Sequence, residues 1–281
     1  MKKVLGIVGS RRKLGNCEIM VKEISRRIST PHELRLLRLP DFSLGYCTGC
    51  YRCLVKDSGC VLKDDLAQVL DEITAADALI LAVPTYVLSA PACLKTFLDR
   101  SISFYAVGER LWGKPAVGIG IAGLEGMEGS TLLDIEKFFA VIKAENMSSR
   151  IIYGALPGEV MLALENGRVA EELAAALFGQ APATEEWSCS YCGGKTFRFL
   201  GGNRLRCMLC SCTGNVTLNE GVAVPDMDKE AHQFMVGEDE ALRHRDTLLG
   251  IRERFESRKG LLKALVGGYA DEGVWILPGH P

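Results

Sequence analysis

Short apolar runs alternate with segments of helical periodicity over residues 1–156. The apolar runs predict five buried β-strands, at residues 4–8, 34–39, 78–83, 116–121 and 150–154. After the first run, Met20, Ile24 and Ile28 recur on one helical face. Strands that alternate with helices are typical of a parallel sheet with helices on both faces. The pattern therefore predicts a doubly wound α/β domain, which we place at residues 1–180.

The pattern changes beyond this domain. Residues 187–218 contain five cysteines and five glycines and show little aliphatic periodicity. A charged amphipathic helix follows at residues 238–266. We therefore expect a small cysteine-rich ribbon at residues 186–218 and a C-terminal helical extension at residues 223–281.

Composition narrows the function classes. The length of 281 residues favours one α/β domain with a smaller appendage. With 48% hydrophobic residues and a net charge of -2, the composition indicates neither disorder nor nucleic-acid binding. The apolar stretch at the N-terminus is too short for a signal peptide. The sequence also has no run of 18 apolar residues, which would have indicated a membrane partner. Eleven cysteines without an export signal predict reduced thiols that bind metals or do redox work. We expect a cytoplasmic protein.

The first predicted strand leads into the loop Gly-Ser-Arg-Arg-Lys-Leu-Gly-Asn-Cys at residues 9–17, directly before a helix. A phosphate in this loop would meet backbone N–H groups, the positive helix end, the hydroxyl of Ser10 and the cation of Arg12. Asn16 can cap the helix and also donate to the phosphate. The alternative is a basic, solvated turn with an ordinary helix cap.

This loop resembles the FMN-phosphate loop of the NADPH-dependent FMN reductase-like flavoproteins, which have a flavodoxin-like fold. The matching positions are Gly9, Ser10, Arg12, Gly15 and Asn16. Arg11 stands where the family has proline, and Cys17 stands where it has Ser or Thr, so a thiol replaces a stronger hydroxyl donor. The resemblance implies that FMN phosphate contacts the residues Ser10, Arg12, Gly15, Asn16 and Cys17.

Two further loops extend this resemblance. Loops after the first and third strands of such a sheet face each other at the switch point where ligands bind. The segment Pro-Thr-Tyr-Val, followed by Lys-Thr-Phe-Leu-Asp-Arg at residues 95–100, is similar to the family's second flavin loop, and a glycine-rich bend after the fourth strand is similar to its third. The implied flavin contacts are Pro84, Thr85, Tyr86, Val87, Ala122, Gly123, Leu124 and Glu125. A plain turn and a core helix are the alternative, and we expect Asp99 and Arg100 to hold a helix end or a subunit contact.

Four cysteines follow the second predicted strand, in the loop at residues 46–61. Three of these thiols are separated by two residues each and the fourth comes shortly after, namely Cys47, Cys50, Cys53 and Cys60. Thiolates in such numbers suit an iron-sulfur cluster or zinc. Together with Lys-Asp-Asp at residues 63–65, the loop resembles that of the iron-sulfur flavoproteins, which implies a [4Fe-4S] cluster on these four cysteines. Zinc and free thiols are the alternatives.

The second cysteine set has the spacing C-x2-C-x14-C-x2-C, at Cys189, Cys192, Cys207 and Cys210. Residues 197–205 between the two pairs predict strand, turn and strand. So short a segment needs a metal to fold, and it resembles a zinc ribbon with four thiolates around one zinc ion. Rubredoxin-type iron is the alternative metal, and Cys212 the alternative ligand to Cys210.

FMN and a cluster together would convert two-electron transfer from NAD(P)H into single-electron transfer, with no side chain required as acid, base or nucleophile. The first hypothesis is an FMN-dependent NAD(P)H oxidoreductase. The second is an electron-transfer flavoprotein that exchanges electrons with a ferredoxin-like partner and lacks NAD(P)H activity. The third is a non-enzymatic redox-sensing binding protein. The family resemblance implies a homodimer or homotetramer.

Overall fold

The computed structural model describes residues 1–55, 59–179, 187–228, 236–269, 272–274 and 276. Five parallel strands form the main sheet, namely β1 (Lys2–Val8), β2 (His32–Arg38), β3 (Ala78–Pro84), β4 (Pro115–Ala122) and β5 (Glu145–Tyr153). Their spatial order is β2-β1-β3-β4-β5, which is that of the flavodoxin-like fold. All five predicted strands and the predicted fold class are confirmed.

Six helices accompany this sheet, namely α1 (Asn16–Arg27), α2 (Leu66–Ala75), α3 (Ala92–Asp99), α4 (Gly108–Leu111), α5 (Thr131–Ile142) and α6 (Leu164–Leu177). Helices α1 and α6 cover one face, and α2, α3 and α5 cover the other, so that two apolar cores flank the strands. Met20 and Ile24 are fully buried, as their spacing predicts. Helix α5 packs close to β4, because a Cβ atom on Gly118 would lie 2.3 Å from Ile135.

A separate antiparallel sheet contains β6 (Phe197–Gly201), β7 (Arg204–Cys207), β8 (Thr213–Asn219) and β9 (Val222–Met227), in that order. The strand, turn and strand expected at residues 197–205 are present as β6 and β7. The sheet continues to Met227, whereas the ribbon was expected to end at residue 218 and a helical extension to begin at 223. The reason is a two-residue hairpin turn at Glu220 and Gly221, both with positive φ, which returns the chain as β9.

The last helix, α7 (Gly237–Gly267), has 31 residues. Ala241 and Leu248 in its first half are buried, whereas Leu261, Leu265 and Val266 near its end are exposed. Its first half therefore packs on the rest of the chain and its second half presents apolar side chains outward. Among the described residues, no helix combines the length and the apolarity required to cross a membrane.

Candidate functional site

The candidate site residues of the main domain lie at one edge of the parallel sheet. Because the strands are parallel, the segments that follow β1, β2, β3 and β4 all leave the sheet at its carboxyl edge. Gly9 N–H donates to the Ala82 carbonyl at 2.8 Å, and Thr85 N–H donates to the Ile121 carbonyl at 2.8 Å. These two bonds hold the first loop against β3 and the second against β4, so the three predicted flavin loops lie side by side.

The first loop is a tight turn before α1. The amide of Arg12 donates to Ser10 Oγ at 3.2 Å, and the amide of Gly15 donates to the Arg12 carbonyl at 3.2 Å. Leu14 has a positive φ of 52°, which turns the chain into the helix. The first amides of a helix have no acceptor within it, so this turn leaves N–H groups and the positive helix end available to an anion. The loop fits a phosphate group.

Glu18 fixes this loop, and the sequence analysis did not single it out. Its carboxylate accepts hydrogen bonds from the Leu14 amide at 2.9 Å, from Lys22 at 2.6 Å and from Arg38 at 2.6 Å. The hydrogen bond from Lys22, together with those from Leu14 and Arg38, lowers the pKa of Glu18 to about 2. An acidic residue three positions after the helix cap is a sequence signal for such a bond back to the preceding turn.

Asn16 and Cys17 differ from expectation. Gly15 occupies the cap position of α1, so the expected capping role of Asn16 is wrong. The Asn16 side chain instead donates to the Gly154 carbonyl at 3.0 Å and accepts from the Gly158 amide at 2.8 Å, because the chain after β5 passes close to α1. Cys17 is 3% exposed, and burial raises its pKa to about 12. Its thiol belongs to the apolar core, so only its backbone amide lies in the first turn.

The second loop contains a strained turn. Tyr86 and Ser89 pair through their backbones, and the two residues between them, Val87 and Leu88, have φ of 49° and 62°. Two consecutive left-handed residues form the turn that normally requires Asn or Gly, and a β-branched residue is rare there. Val87 is 98% exposed, so the turn presents it outward with no packing in return. Strain of this kind persists only where the surroundings impose it, and it is frequent at ligand sites.

Residues around the start of α5 impose this turn. Asp134 Oδ2 accepts from Ser89 Oγ at 2.6 Å and from the Ala90 amide at 3.0 Å. The Ser130 amide donates to the Leu88 carbonyl at 2.7 Å. Gly129 passes so close that a Cβ atom there would lie 2.1 Å from the Leu88 oxygen. Asp134 is therefore a second positioning residue that was not among the predicted site residues, since its partners in the second loop lie more than 40 residues away.

The third loop begins at Ala122, which is buried, and continues through Gly123, Leu124 and Glu125, which are exposed. Together with the second loop it forms an exposed apolar surface at the carboxyl edge of the sheet. The large exposed side chains of these two loops are Tyr86, Val87, Leu88, Leu124 and Met127. This surface provides apolar contact area beside the phosphate loop.

The cysteine loop after β2 leaves from the same edge. Cys47 and Cys50 are exposed, whereas Cys53 and Cys60 are half-buried. Burial, followed by the electrostatic effect of the neighbouring Cys60, raises the pKa of Cys53. Among the described residues, these four thiols are not as close together as the ligands of one metal ion. A bound centre would have to bring these sulfurs together, and thiolates bind both a zinc ion and the separate irons of a cluster.

Helix α7 borders this loop. Its residues Leu248, Ile251 and Phe255 and the loop residues Cys50 and Tyr51 line a shared cavity of about 450 Å³. The apolar face of α7 therefore lies beside the exposed half of the cysteine loop.

A buried ion pair anchors the loop at both ends. Arg100 Nη1 lies 2.5 Å from Asp64 Oδ2, and the two side chains are 1% and 9% exposed. Both partners also reach the entry of the loop, where Asp64 accepts from the Gly45 amide at 2.8 Å and Arg100 donates to the Gly45 carbonyl at 2.8 Å. The Arg100 side chain thus holds the cysteine loop, while its backbone caps the end of α3 as expected. Asp99 forms an exposed pair with Lys95.

The last cysteine of the loop, Cys60, also affects the pKa of Arg100. Burial lowers the pKa of Arg100, but the Asp64 carboxylate and the Cys60 sulfur raise it by more. Its Nε–H is buried and has no hydrogen-bond acceptor among the described residues. A buried N–H donor without an acceptor is unfavourable. The Arg100 Nε–H therefore fits a site in which a bound group would supply sulfur as its acceptor.

The second cysteine set forms a compact group. The Sγ atoms of Cys189, Cys192, Cys207 and Cys210 all lie within 4.8 Å of one another. The Cys189–Cys210 and Cys192–Cys207 sulfur distances are 3.7 Å and 3.5 Å. Four sulfurs bound tetrahedrally at 2.3 Å from one zinc ion would lie about 3.8 Å apart. The group therefore fits one tetrahedral metal ion, and it includes Cys210 rather than Cys212.

Comparisons with known proteins place the main domain. Residues 2–152, just over half of the chain, match the NADPH-dependent FMN reductase family. The chain belongs to this family. An iron-sulfur flavoprotein from Archaeoglobus fulgidus is 30% identical over 162 residues, which are 56% of this chain and 71% of that protein. An iron-sulfur flavoprotein from Methanocaldococcus jannaschii is 33% identical over 144 residues, which are 50% and 72% of the two chains.

A solved flavone reductase has a similar fold over its whole length. It is 17% identical, with a TM-score of 0.74, and the match covers 99% of this chain and 100% of that one. The likeness therefore extends over the antiparallel sheet and α7 as well as the main domain. As a member of the FMN reductase family, the protein is an oxidoreductase of the flavoprotein class, as the sequence resemblance implied.

Proposed function

We propose that the protein is an FMN-dependent NAD(P)H oxidoreductase that passes electrons between a nicotinamide or ferredoxin-like donor, FMN and a [4Fe-4S] cluster. The observation that carries this proposal is the shared position of four loops. The anion-binding turn after β1, the strained turn after β3, the bend after β4 and the cysteine loop after β2 all leave the carboxyl edge of one sheet. Ligands of open α/β sheets bind at this edge.

The residues that would hold FMN follow from this arrangement. Ser10, Arg12, Gly15 and the first-turn amides of Asn16 and Cys17 would bind the phosphate, and Glu18 holds them in place through Leu14. The backbone of residues 84–87 and 122–125 would border the ring. Bound FMN accepts two electrons as hydride and releases them singly.

Cys47, Cys50, Cys53 and Cys60 would hold the cluster. The half-buried Cys53 and Cys60, the orphaned Arg100 Nε–H and the iron-sulfur flavoprotein relatives support this assignment. Zinc and free thiols are the remaining alternatives.

The compact second cysteine group would hold structural zinc. Its preformed tetrahedral geometry and its place at the centre of a small antiparallel sheet support a role in folding. The same geometry accepts rubredoxin-type iron, so the metal must be measured. On this basis we divide the chain into the FMN domain at 1–180, a zinc-bearing ribbon that extends beyond the expected 186–218 to the end of β9 at Met227, and a C-terminal extension, expected at 223–281, that consists of α7 and the tail.

One spectroscopic experiment tests the metal assignments. An anaerobic ultraviolet-visible spectrum is recorded together with counts of FMN, iron, acid-labile sulfide and zinc per chain. The proposal expects one FMN, four irons, four sulfides and one zinc, as the assigned groups require. Zinc alone, with no labile sulfide, would refute the cluster, and a colourless protein after reconstitution with FMN, iron and sulfide would favour the redox-sensing binding protein.

Anaerobic stopped-flow measurements separate the two electron-transfer hypotheses. Rapid bleaching of the flavin by NADPH or NADH supports the oxidoreductase. Bleaching only by a reduced ferredoxin supports the dedicated electron-transfer flavoprotein. The exposure of Cys47 and Cys50 favours single-electron exchange with a protein partner at the cluster end.

The exposed apolar surface of the second and third loops supports a homodimer or homotetramer in which a second copy covers it. We place the protein in the cytoplasm, where its eleven cysteines remain reduced. Multi-angle light scattering of the reconstituted protein measures the assembly state, and a monomer at micromolar concentration would refute it.

A further inference from the structure

Arg100 is the largest fully buried side chain of the main domain, and the flavin reaction does not use it. A guanidinium has five N–H donors and stays charged, so a buried one must be paired and its donors satisfied. Asp64 and the Gly45 carbonyl account for the two Nη groups. Nε–H is left without an acceptor among the described residues, and Arg100 and Cys60 line the same cavity.

We propose that Arg100 is a positioning residue of the cysteine loop, whose free Nε–H donates to sulfur of the centre bound there, either the Cys60 thiolate or a cluster sulfide. The inference rests on the proposed [4Fe-4S] cluster. The pairing with Asp64 fixes the guanidinium, and the shared bonds to Gly45 fix the start of the loop relative to its end. The residue therefore connects the geometry of the loop with the electrostatics of its metal centre.

The opposite charges of Arg100 and Asp64 predict opposite effects on the reduction potential of the cluster. Reduction adds a negative charge to a cluster, so a nearby cation and an N–H donor to sulfur both favour the reduced form. The neighbouring Asp64 carboxylate opposes this effect. Removing the cation and removing the anion must therefore move the reduction potential in opposite directions, which loosening of the fold alone would not do.

The test uses the full-length protein reconstituted with FMN, iron and sulfide, and measures the cluster's midpoint potential by anaerobic titration with electron paramagnetic resonance. We expect Arg100→Gln to lower the potential and Asp64→Asn to raise it. Arg100→Lys keeps the charge but lacks the planar donor fork, so its potential falls by less than that of Arg100→Gln. The control is Arg110→Gln, which removes an exposed cation from the same cavity without touching Asp64 or Gly45.

Potentials of Arg100→Gln and Arg100→Lys that equal that of Arg110→Gln would overturn the inference. If Arg100→Gln cannot hold iron, Arg100→Lys decides, because it preserves the charge balance with Asp64. A wild-type protein without iron and labile sulfide refutes the proposed function before any variant is compared. In that protein, amide hydrogen exchange at Gly45 tests whether Arg100 anchors the loop. Exchange should be faster in Arg100→Gln than in Arg110→Gln, and equal rates would refute the anchoring role of Arg100.

Discussion

The strained turn after β3 gives a quantitative prediction. Val87 has φ of 49° and is 98% exposed, so it suffers the left-handed conformation without contributing packing. The left-handed region costs an L-residue about 1–2 kcal/mol, and a β-branched residue lies at the upper end. Asn tolerates this region and, unlike Gly, does not make the unfolded chain much more flexible. Val87→Asn should therefore increase the free energy of unfolding by about 1 kcal/mol.

The assay is thermal unfolding of the FMN-free protein followed by far-ultraviolet circular dichroism. A stabilisation of about 1 kcal/mol corresponds to a rise in Tm of about 2–4 °C for a domain of this size. The matched control is Val274→Asn, since Val274 is 96% exposed but does not have a positive φ. The control should leave Tm unchanged. A Val87→Asn variant that melts with or below the control would show that the turn is not strained in the way its backbone angles indicate.

Three further predictions address the loops and the metal. Cys192→Ser should reduce the zinc content by one per chain and expose the antiparallel sheet to trypsin, and a variant with full zinc content would contradict the tetrahedral site. Asp134→Asn should weaken FMN binding by about tenfold in a flavin fluorescence titration, because its charge-assisted bonds to the second loop are worth about 1.5–3 kcal/mol each; unchanged affinity would separate this loop from the flavin. Glu18→Gln should destabilise the protein at pH values above the ordinary Glu pKa of 4.5, because the pKa of Glu18 is lowered to about 2 in the folded state. In urea unfolding, the difference in stability from wild type should vanish as the pH falls towards about 2.

The sequence predicts those parts of this fold whose cause is local. Buried parallel strands appear as continuous apolar runs, and β3 is a clear example because residues 78–83 are fully buried. The spacing of the second cysteine set also predicts its geometry, since two pairs of thiols at the open end of one short hairpin have few other arrangements. Strand β9 was missed although its turn at Glu220 and Gly221 was visible, because an edge strand lacks strong alternation.

The remaining features depend on partners far away in the sequence. Asn16 meets Gly154 and Gly158 only because β5 ends beside α1, and Arg100 meets Asp64 across 36 residues. The left-handed turn at Val87 has no local signal either, because neither central residue is Gly or Asn. The sequence shows which of these side chains are polar and which are apolar. Only the fold shows which of them hold the site residues in position.

The two cysteine sets differ in what holds them before any metal binds. In the ribbon, antiparallel strands bring four sulfurs to 3.5–3.7 Å pairs, so the protein itself defines a tetrahedral ion site. In the loop after β2, Gly45 and Asp64 are held by Arg100, whereas Cys47 and Cys50 are exposed. Among the described residues, the sulfurs of this loop are not gathered like those of the ribbon, so the binding free energy of a centre there includes the cost of bringing them together. The ribbon should therefore retain its metal under conditions that strip the loop, which agrees with the proposed structural role of the ion and the proposed redox role of the loop centre.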